Sequence, residues 1–460
     1  MPIALVAHAA QAVPITPVTP ESLPEALAGL TELERRWVGS LGFKAEPGST
    51  ALVPSPAGGL GRVLAGWNPK EPIWALGALP ESLPQGQYAL DARPGRAAAT
   101  RMALGWALGA YAFTRYKAAG RAPAELVWPA EADRAEAERL ARAIHLTRDL
   151  INTPAEEMGP AELALAAEQL AAEQGARSTV LAGDELLKHN YPMIHAVGRG
   201  SARAPRLIDL VWGDAKAPKL TLVGKGVCFD SGGLDLKTAQ GMRMMKKDMG
   251  GAATVLGLAS AIMDAGLPVR LRVLIPAVEN FVSATSYRPL DVIRTRKGLT
   301  VEIGNTDAEG RLILCDALAE ADSEQPALII DMATLTGAAR VALGPDLPAL
   351  FANDDALATT LLDAGTAESD PLWRLPLWKP YRKLFDSKVA DLNNVSESGF
   401  AGAVIAALYL AEFVSPTTPW AHIDTYAWNP STRPGRPEGA EALGLRALYK
   451  ALEKRFEGRG

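Results

Sequence analysis

The residues with the clearest capacity for chemistry are four carboxylates in the central part of the chain. Asp230 lies in the glycine-rich segment GKGVCFDSGGLDLK, and Asp248 comes just before a pair of glycines. Asp307 and Glu309 alternate in the segment NTDAEGRL, and this spacing places both side chains on one face of an extended segment. All four carboxylates are candidate ligands for divalent cations.

Two lysines belong to the same segment as Asp230. Lys225 lies near its start, and Lys237 ends it, seven residues after Asp230. Clustered carboxylates repel one another unless cations compensate their charge, and two divalent ions would balance four carboxylates. Oxygen ligands suit Mg²⁺, Mn²⁺ or Zn²⁺, and two such ions about 3.5–4 Å apart can activate water and stabilise an oxyanion. The residues therefore predict a two-metal site.

Each motif also has a simpler structural interpretation when it is taken alone. Asp248 could cap the following helix, where an acid satisfies free backbone N–H groups. Asp307, Glu309 and Arg311 could form a solvated surface patch. The histidines show no HExxH spacing, and His422 lies in a strand pattern that suits a hydrogen-bonded core residue rather than a ligand. The motifs around Asp230, around Asp248 and around Asp307 and Glu309 all occur in one chain, and this combination favours the metal site.

The elements that would position these residues alternate in a regular way. From about residue 205, apolar strands, glycine-rich turns and helical patterns follow one another, as in KLTLVGKGV and ALIIDMATLTG. This alternation predicts an α/β fold with a mainly parallel sheet sandwiched by helices. Ligands bind beyond the carboxyl ends of the strands in such sheets, and the acidic motifs fall at those places.

The length of 460 residues predicts two domains, because a single hydrophobic core rarely grows so large. Residues 1–128 contain short strand patterns and a buried helix over 100–120, which indicates a smaller accessory α/β domain. Residues 129–150 are charged, with apolar residues at helical spacing, and they predict a linker helix. Residues 151–460 contain every candidate site residue and are the expected catalytic domain.

Composition argues against several classes of partner. The formal net charge of −5 gives no general attraction to phosphate backbones or anionic lipids, so nucleic acid is not the expected partner. Cys228 and Cys315 lie in apolar runs and predict buried thiols in a reducing compartment. No run approaches the roughly 18 apolar residues of a membrane span, and no basic residue precedes the N-terminal apolar stretch. These features predict a cytoplasmic protein without membrane contact.

At these motifs the sequence resembles the leucyl aminopeptidase (cytosol aminopeptidase) family. NTDAEGRL is that family's signature, and GKGVCFDSGG and the segment 246–253 are similar to its other metal-site motifs, in the same order. The resemblance extends over roughly residues 147–428. It implies a metal-dependent aminopeptidase that acts on peptides with a free N-terminus. It also implies two divalent ions per subunit, Zn²⁺ or Mn²⁺, with Mg²⁺ as an alternative.

The resemblance further implies a role for each site residue. The first ion would be bound by Asp230, Asp307 and Glu309. The second would be bound by Lys225, Asp230, Asp248 and Glu309, with Lys225 neutral because an ammonium has no free lone pair.

Two further residues resemble the family's catalytic groups. Lys237 matches the lysine that polarises the scissile carbonyl, and Arg311 matches the arginine that holds a bicarbonate ion. A guanidinium cannot act as a base near neutral pH, so an anion clamp is the sensible role for Arg311. The substrate contacts that the resemblance implies are Met245, Thr334 and Gly337 around the N-terminal side chain, Asn305 and Ala308 near the second residue, and Leu335 beside the metals.

One segment departs from the family pattern. Where the family usually has GGAxTAAxFL, this chain reads GFAGAVIAALYL at 399–410, with Ile405 in place of the threonine. The segment helps to shape the substrate pocket in the family. The resemblance therefore leaves the preferred N-terminal side chain open.

Other functions also stay open on the sequence. A dipeptidase or cysteinylglycine hydrolase could use the same residues, and a DNA-binding regulatory role is a second activity that the resemblance allows. A two-metal phosphoesterase would usually have more histidine, and an inactive scaffold would not need the complete set of site residues. The family resemblance implies a homohexamer as the assembly.

Overall fold

A computed structural model describes residues 3–457 of the chain. These residues form two compact units. One consists of the residues up to His145 together with Asn429–Gly439, and the other consists of Leu146–Trp428 and the residues from Ala440 onward. The return of Asn429–Gly439 to the first unit is not evident from the sequence. No helix in the described part of the chain has the length and continuous apolar character needed to cross a bilayer.

The first unit is built around one mixed sheet. Its strands are β1 (Leu5–Val6), β2 (Val13–Val18), β3 (Thr50–Pro54), β4 (Leu60–Gly66), β5 (Gln87–Leu90) and β6 (Glu125–Val127). Its helices are α1 (Leu23–Ala28), α2 (Glu32–Ser40), α3 (Leu79–Ser82) and α4 (Arg96–Gly109), with a 3-10 turn at Pro72–Trp74. The strand order is β1-β6-β5-β2-β4-β3, and only β3 pairs antiparallel with its neighbour. Trp106 of α4 is fully buried in the core of this unit.

The prediction of a helix over 100–120 was wrong in its extent, because α4 begins at Arg96 and ends at Gly109. The apolar composition continues past that end, but two glycines hold the helix close to other backbone. A Cβ at Gly105 would lie 1.7 Å from the Ile73 carbonyl oxygen, and one at Gly109 would lie 1.9 Å from that of Gly77. Glycine is also a weak helix former, and α4 ends at the second of these glycines, Gly109.

The second unit begins within a long helix, α5, and contains the larger sheet. The helices from this point are α5 (Arg134–Asn152), α6 (Pro160–Gln174), α7 (Glu185–Lys188), α8 (Pro192–Gly198), α9 (Ala239–Met242), α10 (Gly250–Ala265), α11 (Glu309–Ser323), α12 (Gly337–Leu343), α13 (Asp355–Ala367), α14 (Gly402–Ala411) and α15 (Leu445–Glu457). Two 3-10 turns cover Met245–Met249 and Lys379–Phe385. The strands are β7 (Arg177–Ala182), β8 (Arg206–Trp212), β9 (Lys219–Gly224), β10 (Gly226–Asp230), β11 (Arg270–Asn280), β12 (Val292–Arg294), β13 (Thr300–Glu302), β14 (Leu328–Ala333), β15 (Ala349–Ala352), β16 (Trp373–Arg374), β17 (Leu392–Asn393), β18 (Trp420–Asp424), β19 (Trp428–Asn429) and β20 (Gly439–Ala440).

The large sheet has nine strands in the order β16-β15-β18-β14-β9-β11-β8-β7, with β10 paired to β11 beyond this path. Its centre, β18-β14-β9-β11, is parallel, whereas β8, β7 and β15 pair antiparallel. The predicted α/β fold with a mainly parallel sheet is therefore confirmed. The central strands are rich in Val, Ile and Leu because helices cover both of their faces. Their carboxyl ends, where the acidic motifs lie, come to one edge of the sheet.

Candidate active site

Three acidic side chains from separate elements meet at the carboxyl edge of the sheet. Asp230 ends β10, Asp307 lies just before α11, and Glu309 is the first residue of that helix. One carboxylate oxygen from each lies within 4.8 Å of the other two. Asp230 and Glu309 are buried, whereas the Asp307 side chain is 33% exposed. The cluster therefore has one side open to solvent.

A buried lysine joins this cluster to the fourth predicted carboxylate. Lys225 follows β9, and its Nζ lies 2.7 Å from Asp248 Oδ2 and 2.9 Å from Glu309 Oε1. The same Nζ donates to the main-chain oxygen of Thr334 at 3.0 Å. The hydroxyl of Thr334 donates to Asp248 Oδ1 at 2.8 Å. The four carboxylates that the sequence predicted thus lie around one pair of lysines.

Lys237 is the second lysine of the pair. Its Nζ lies 2.8 Å from Asp230 Oδ2 and also forms an ion pair with Asp307. The loop that carries it turns sharply after Asp230. Gly232 has φ +89°, and a Cβ there would lie 2.5 Å from the Asp235 carbonyl oxygen. Only glycine fits this turn without strain, and the turn brings Lys237 back to the acidic cluster.

The electrostatics of the cluster show an excess of negative charge. Burial and the neighbouring Asp230 raise the pKa of Glu309 to about 8, and the same causes raise the pKa of Asp307 to about 6. Burial opposes the charge of Lys225, but the attraction of Asp248, Glu309 and Asp230 outweighs it and raises the lysine pKa. Glu309 therefore keeps a proton near neutral pH, and additional cations beside it would favour the loss of that proton.

The donor set fits divalent ions. Four carboxylates face two ammonium groups, and Glu309 Oε2 is buried without a hydrogen-bond partner in the described residues. A buried carboxylate oxygen without a partner is costly, and a cation is the group that would satisfy it. Oxygen ligands with one amine suit Zn²⁺, Mn²⁺ or Mg²⁺.

Several residues that support this cluster were not identified from the sequence. Asn280, at the end of β11, donates its Nδ2 to Asp230 Oδ1 at 2.9 Å and to the Thr306 carbonyl oxygen at 3.0 Å. The side-chain oxygen Oδ1 of Asn394 accepts a hydrogen bond from the Gly304 backbone N–H at 2.7 Å. The main-chain carbonyl oxygen of Asn394 accepts a hydrogen bond from Arg311 Nη1 at 2.6 Å. Of these supporting residues, only Asn280 has a feature that the sequence could have revealed, because it is a polar residue at the end of an apolar strand.

The loop after β14 is held by a further buried acid. Asp424 ends β18, and its Oδ1 accepts from the backbone N–H groups of Leu335 and Thr336 at 3.0 and 3.2 Å. Its Oδ2 accepts from the Thr336 hydroxyl at 2.6 Å. Asp424 therefore fixes the loop whose preceding residue, Thr334, contacts both Lys225 and Asp248.

The residues predicted to contact substrate lie in segments next to the cluster. Met245 opens the 3-10 turn that contains Asp248, and Gly337 begins α12 after the loop of Thr334 and Leu335. Asn305 accepts from the Asp307 backbone N–H at 2.7 Å, and the Ala308 N–H donates to the Asn305 carbonyl oxygen. Their contacts with a peptide remain a prediction.

His422 is a core residue, as its strand pattern indicated. It is buried in β18, and its Nδ1 lies 2.5 Å from Asp331 Oδ1. Trp420 Nε1 donates to the other oxygen of Asp331 at 2.7 Å. Asp331 lies within β14 rather than beyond its carboxyl end, so this pair is separate from the acidic cluster.

Comparison with known proteins decides the family. Residues 145–449 match the catalytic domain of the cytosol aminopeptidase family, and residues 13–129 match the M17 aminopeptidase N-terminal domain. This chain belongs to the cytosol aminopeptidase family. Its activity is therefore the metal-dependent removal of N-terminal amino acids from peptides, and the dipeptidase and DNA-binding alternatives are not favoured.

Relatives within the family are similar over most of the chain. A probable cytosol aminopeptidase of Roseiflexus castenholzii is 43% identical over 363 residues, which are 75% of this chain and 74% of the relative. Peptidase B of Cronobacter sakazakii is 44% identical over 332 residues, which are 70% of this chain and 78% of the relative. The family assignment thus rests on more than the short motifs.

Solved structures of the family share the whole fold. The cytosol aminopeptidase of Coxiella burnetii has a TM-score of 0.95 and 50% identity, covering 98% of this chain and 99% of that chain. The bottromycin maturation enzyme BotP in complex with Mn has a TM-score of 0.87 and 34% identity, covering 96% and 99%. Both matches include the N-terminal unit as well as the catalytic one.

Proposed function

We propose that this aminopeptidase works through two divalent ions held by the acidic cluster. Asp230, Asp307 and Glu309 would hold one ion, and Lys225, Asp230, Asp248 and Glu309 would hold the other. The convergence of three carboxylate oxygens within 4.8 Å, next to a buried lysine, is the observation that carries this proposal. When bound, such ions supply Lewis-acid activation of water and stabilise developing negative charge. Zn²⁺ and Mn²⁺ are the first candidates, with Mg²⁺ as an alternative, and the Mn complex of BotP supports Mn²⁺.

Lys237 and Arg311 supply the charges that the reaction needs from the protein. The Lys237 ammonium lies at the open side of the cluster, where it would stabilise negative charge on the scissile carbonyl oxygen.

Arg311 is buried in the first turn of α11, and its Nε has no hydrogen-bond partner in the part of the chain that the structure describes. Burial lowers the pKa of Arg311, which favours a bound anion beside it. Bicarbonate, acting as a base, would fill this role.

The substrate is a peptide with a free N-terminus. Met245, Thr334 and Gly337 would line the pocket for its first side chain, with Asn305 and Ala308 near the second residue. Leu335 would contact the substrate through its main chain. Asp424 accepts a hydrogen bond from the Leu335 N–H group and thereby fixes the position of this part of the loop. An N-acetylated peptide would lack the free amine and should be a poor substrate.

The remaining organisation is proposed from the family. Residues 1–128 would form an accessory domain, 129–150 a linker and 151–460 the catalytic domain. The assembly would be a homohexamer in the cytoplasm. Size-exclusion chromatography with light scattering tests the assembly, since a mass of one or two subunits would contradict it.

The central test is hydrolysis of aminoacyl p-nitroanilides by chelator-treated protein, before and after addition of Mn²⁺ or Zn²⁺. Activity should return with metal and should be absent with N-acetylated substrates. Asp307→Ala should lose turnover together with the ion proposed at Asp230, Asp307 and Glu309, because it removes a carboxylate from the only group of three within 4.8 Å found in the described residues. A variant that keeps two ions and full turnover would refute the assignment.

A further inference from the structure

Lys247 and Arg340 are two cations near Asp248 that have no carboxylate partner in the described part of the chain. Lys247 directly precedes Asp248 in the 3-10 turn, and its Nζ lies 5.2 Å from the centre of the Tyr426 ring. Arg340, on α12, has its Cζ 5.0 Å from the centre of the same ring. Over residues 3–457, neither cation forms an ion pair within 4 Å. Both positive charges therefore converge on one tyrosine.

Lys247 is the more unusual of the two because it is buried, with 5% of the residue exposed. Its ammonium carries three donors, and the face of Tyr426 attracts a cation without offering a hydrogen-bond acceptor. The nearest acids are already engaged. Asp248 bonds with Lys225 and Thr334, and Asp424 bonds with the loop after β14. Among the described residues, the Lys247 ammonium therefore has no carboxylate within ion-pair distance, and an anion bound beside it would supply that partner.

The location of these cations follows from the backbone around Asp248. A Cβ on Gly250 would lie 2.4 Å from the Ala427 Cβ and 3.2 Å from Thr334 Cγ2, so the segment after β18 packs directly on the start of α10. Tyr426 precedes Ala427, and Arg340 lies one turn after the start of α12. An aminopeptidase holds the substrate amine at its catalytic centre. The proposed pocket for the first side chain includes Met245, in the same 3-10 turn as Lys247, and Gly337, in the same helix as Arg340.

We propose that Lys247 and Arg340 bind the side-chain carboxylate of an N-terminal glutamate or aspartate, with Tyr426 as the wall of the subsite. This inference rests on the proposed function of the acidic cluster. Glutamate or aspartate supplies the carboxylate that these two cations do not have within ion-pair distance among the described residues. Leucine in the same place would cover the ammonium without offering it a hydrogen-bond acceptor, which is unfavourable. The subsite therefore selects charge rather than apolar volume.

The test compares Glu-, Gln- and Leu-p-nitroanilide with Mn²⁺-loaded enzyme. Glutamate and glutamine have nearly the same shape, so the ratio of their kcat/KM values isolates the charge. We expect a ratio above about ten in the parent and a fall of at least about tenfold in Lys247→Met, because a hydrogen bond to a charged group is lost. Leucine hydrolysis should persist or increase. Lys216→Met, in the exposed turn between β8 and β9, changes the net charge equally and should leave the ratio unchanged.

Arg340→Gln gives an independent second variant, because Arg340 is exposed on α12 and its replacement leaves the core intact. A fall of about threefold in the Glu/Gln ratio is expected, since water screens an exposed charge. The inhibition constant of free glutamate relative to glutamine should change in the same direction. A parent that cleaves Leu-p-nitroanilide but has a Glu/Gln ratio near one would overturn the subsite alone. A parent that cleaves none of the three substrates would overturn the proposed function instead.

Discussion

Substitution of Gly310 by alanine probes the acidic cluster without removing any ligand. Gly310 is the second residue of α11, and an added Cβ would lie 2.6 Å from Lys225 Cε and 2.8 Å from its Nζ. Carbon atoms in contact are normally about 3.5–4.0 Å apart, so the lysine would have to move by roughly 1 Å. Asp248, Glu309 and the Thr334 carbonyl oxygen hold its Nζ at 2.7, 2.9 and 3.0 Å. The lysine cannot move without lengthening these contacts.

Two opposing effects decide the outcome for stability. Alanine in place of glycine favours a helix by at most about 1 kcal/mol. Overpacking a buried site costs about 1–3 kcal/mol, and each weakened hydrogen bond to a charged group costs up to about 1.5–3 kcal/mol. The free energy of unfolding of Gly310→Ala should therefore fall by about 1–4 kcal/mol. Activity should fall further, because a misplacement of about 1 Å in a catalytic site can cost about 100-fold.

The assay combines metal content with kinetics. Gly310→Ala should retain the ion at Asp230, Asp307 and Glu309 but bind the ion at Lys225 more weakly, with kcat/KM for an aminoacyl p-nitroanilide about 100-fold lower. Gly39→Ala is the matched control, because Gly39 is helical and a Cβ there would meet nothing within 4 Å. If Gly310→Ala binds two ions as tightly as the parent and keeps its kcat/KM, the reasoning about Lys225 is wrong.

Three further results are expected. Lys237→Met should lower kcat about 100-fold or more while two ions per subunit remain, and loss of metal would contradict this role. Metal-free protein should unfold at a lower temperature at pH 8 than at pH 6. In the folded state Glu309 has a pKa of about 8 and keeps its proton over most of this range, whereas in the unfolded chain its pKa is near 4.5 and the proton is already lost. Raising the pH therefore favours the unfolded state. Saturating Mn²⁺ or Glu309→Gln should reduce this dependence, and an unfolding temperature that rises over the same range would contradict it. Asp424→Ala should lower the free energy of unfolding by about 2–4 kcal/mol in denaturant, because the Leu335 and Thr336 amides lose their acceptor, and unchanged stability would refute this.

The sequence determined the fold class and the chemical types at the site. The strands β9, β14 and β18 are readable because their apolar runs end in glycine or polar residues, and such patterns are local. The rule that parallel strands present ligand sites at their carboxyl ends then placed the acidic motifs, including the segment with Lys225, at one edge of the sheet. The same local patterns gave α6 its limits. Pro160 begins it and Gly175, with φ +65°, ends it in the left-handed conformation.

Tertiary structure alone decided the distances and the supporting partners. Lys225 and Glu309 are 2.9 Å apart although 84 residues separate them in the chain, and only the packing of α11 against the sheet sets that distance. Asn280 and Asp424 carry no motif, since their roles depend on which backbone groups come within hydrogen-bond reach. The burial of Lys247 against Tyr426 is of the same kind. Residue type and spacing therefore specify which chemistry the chain can perform, whereas long-range packing specifies which atoms meet and which charges are left without a partner.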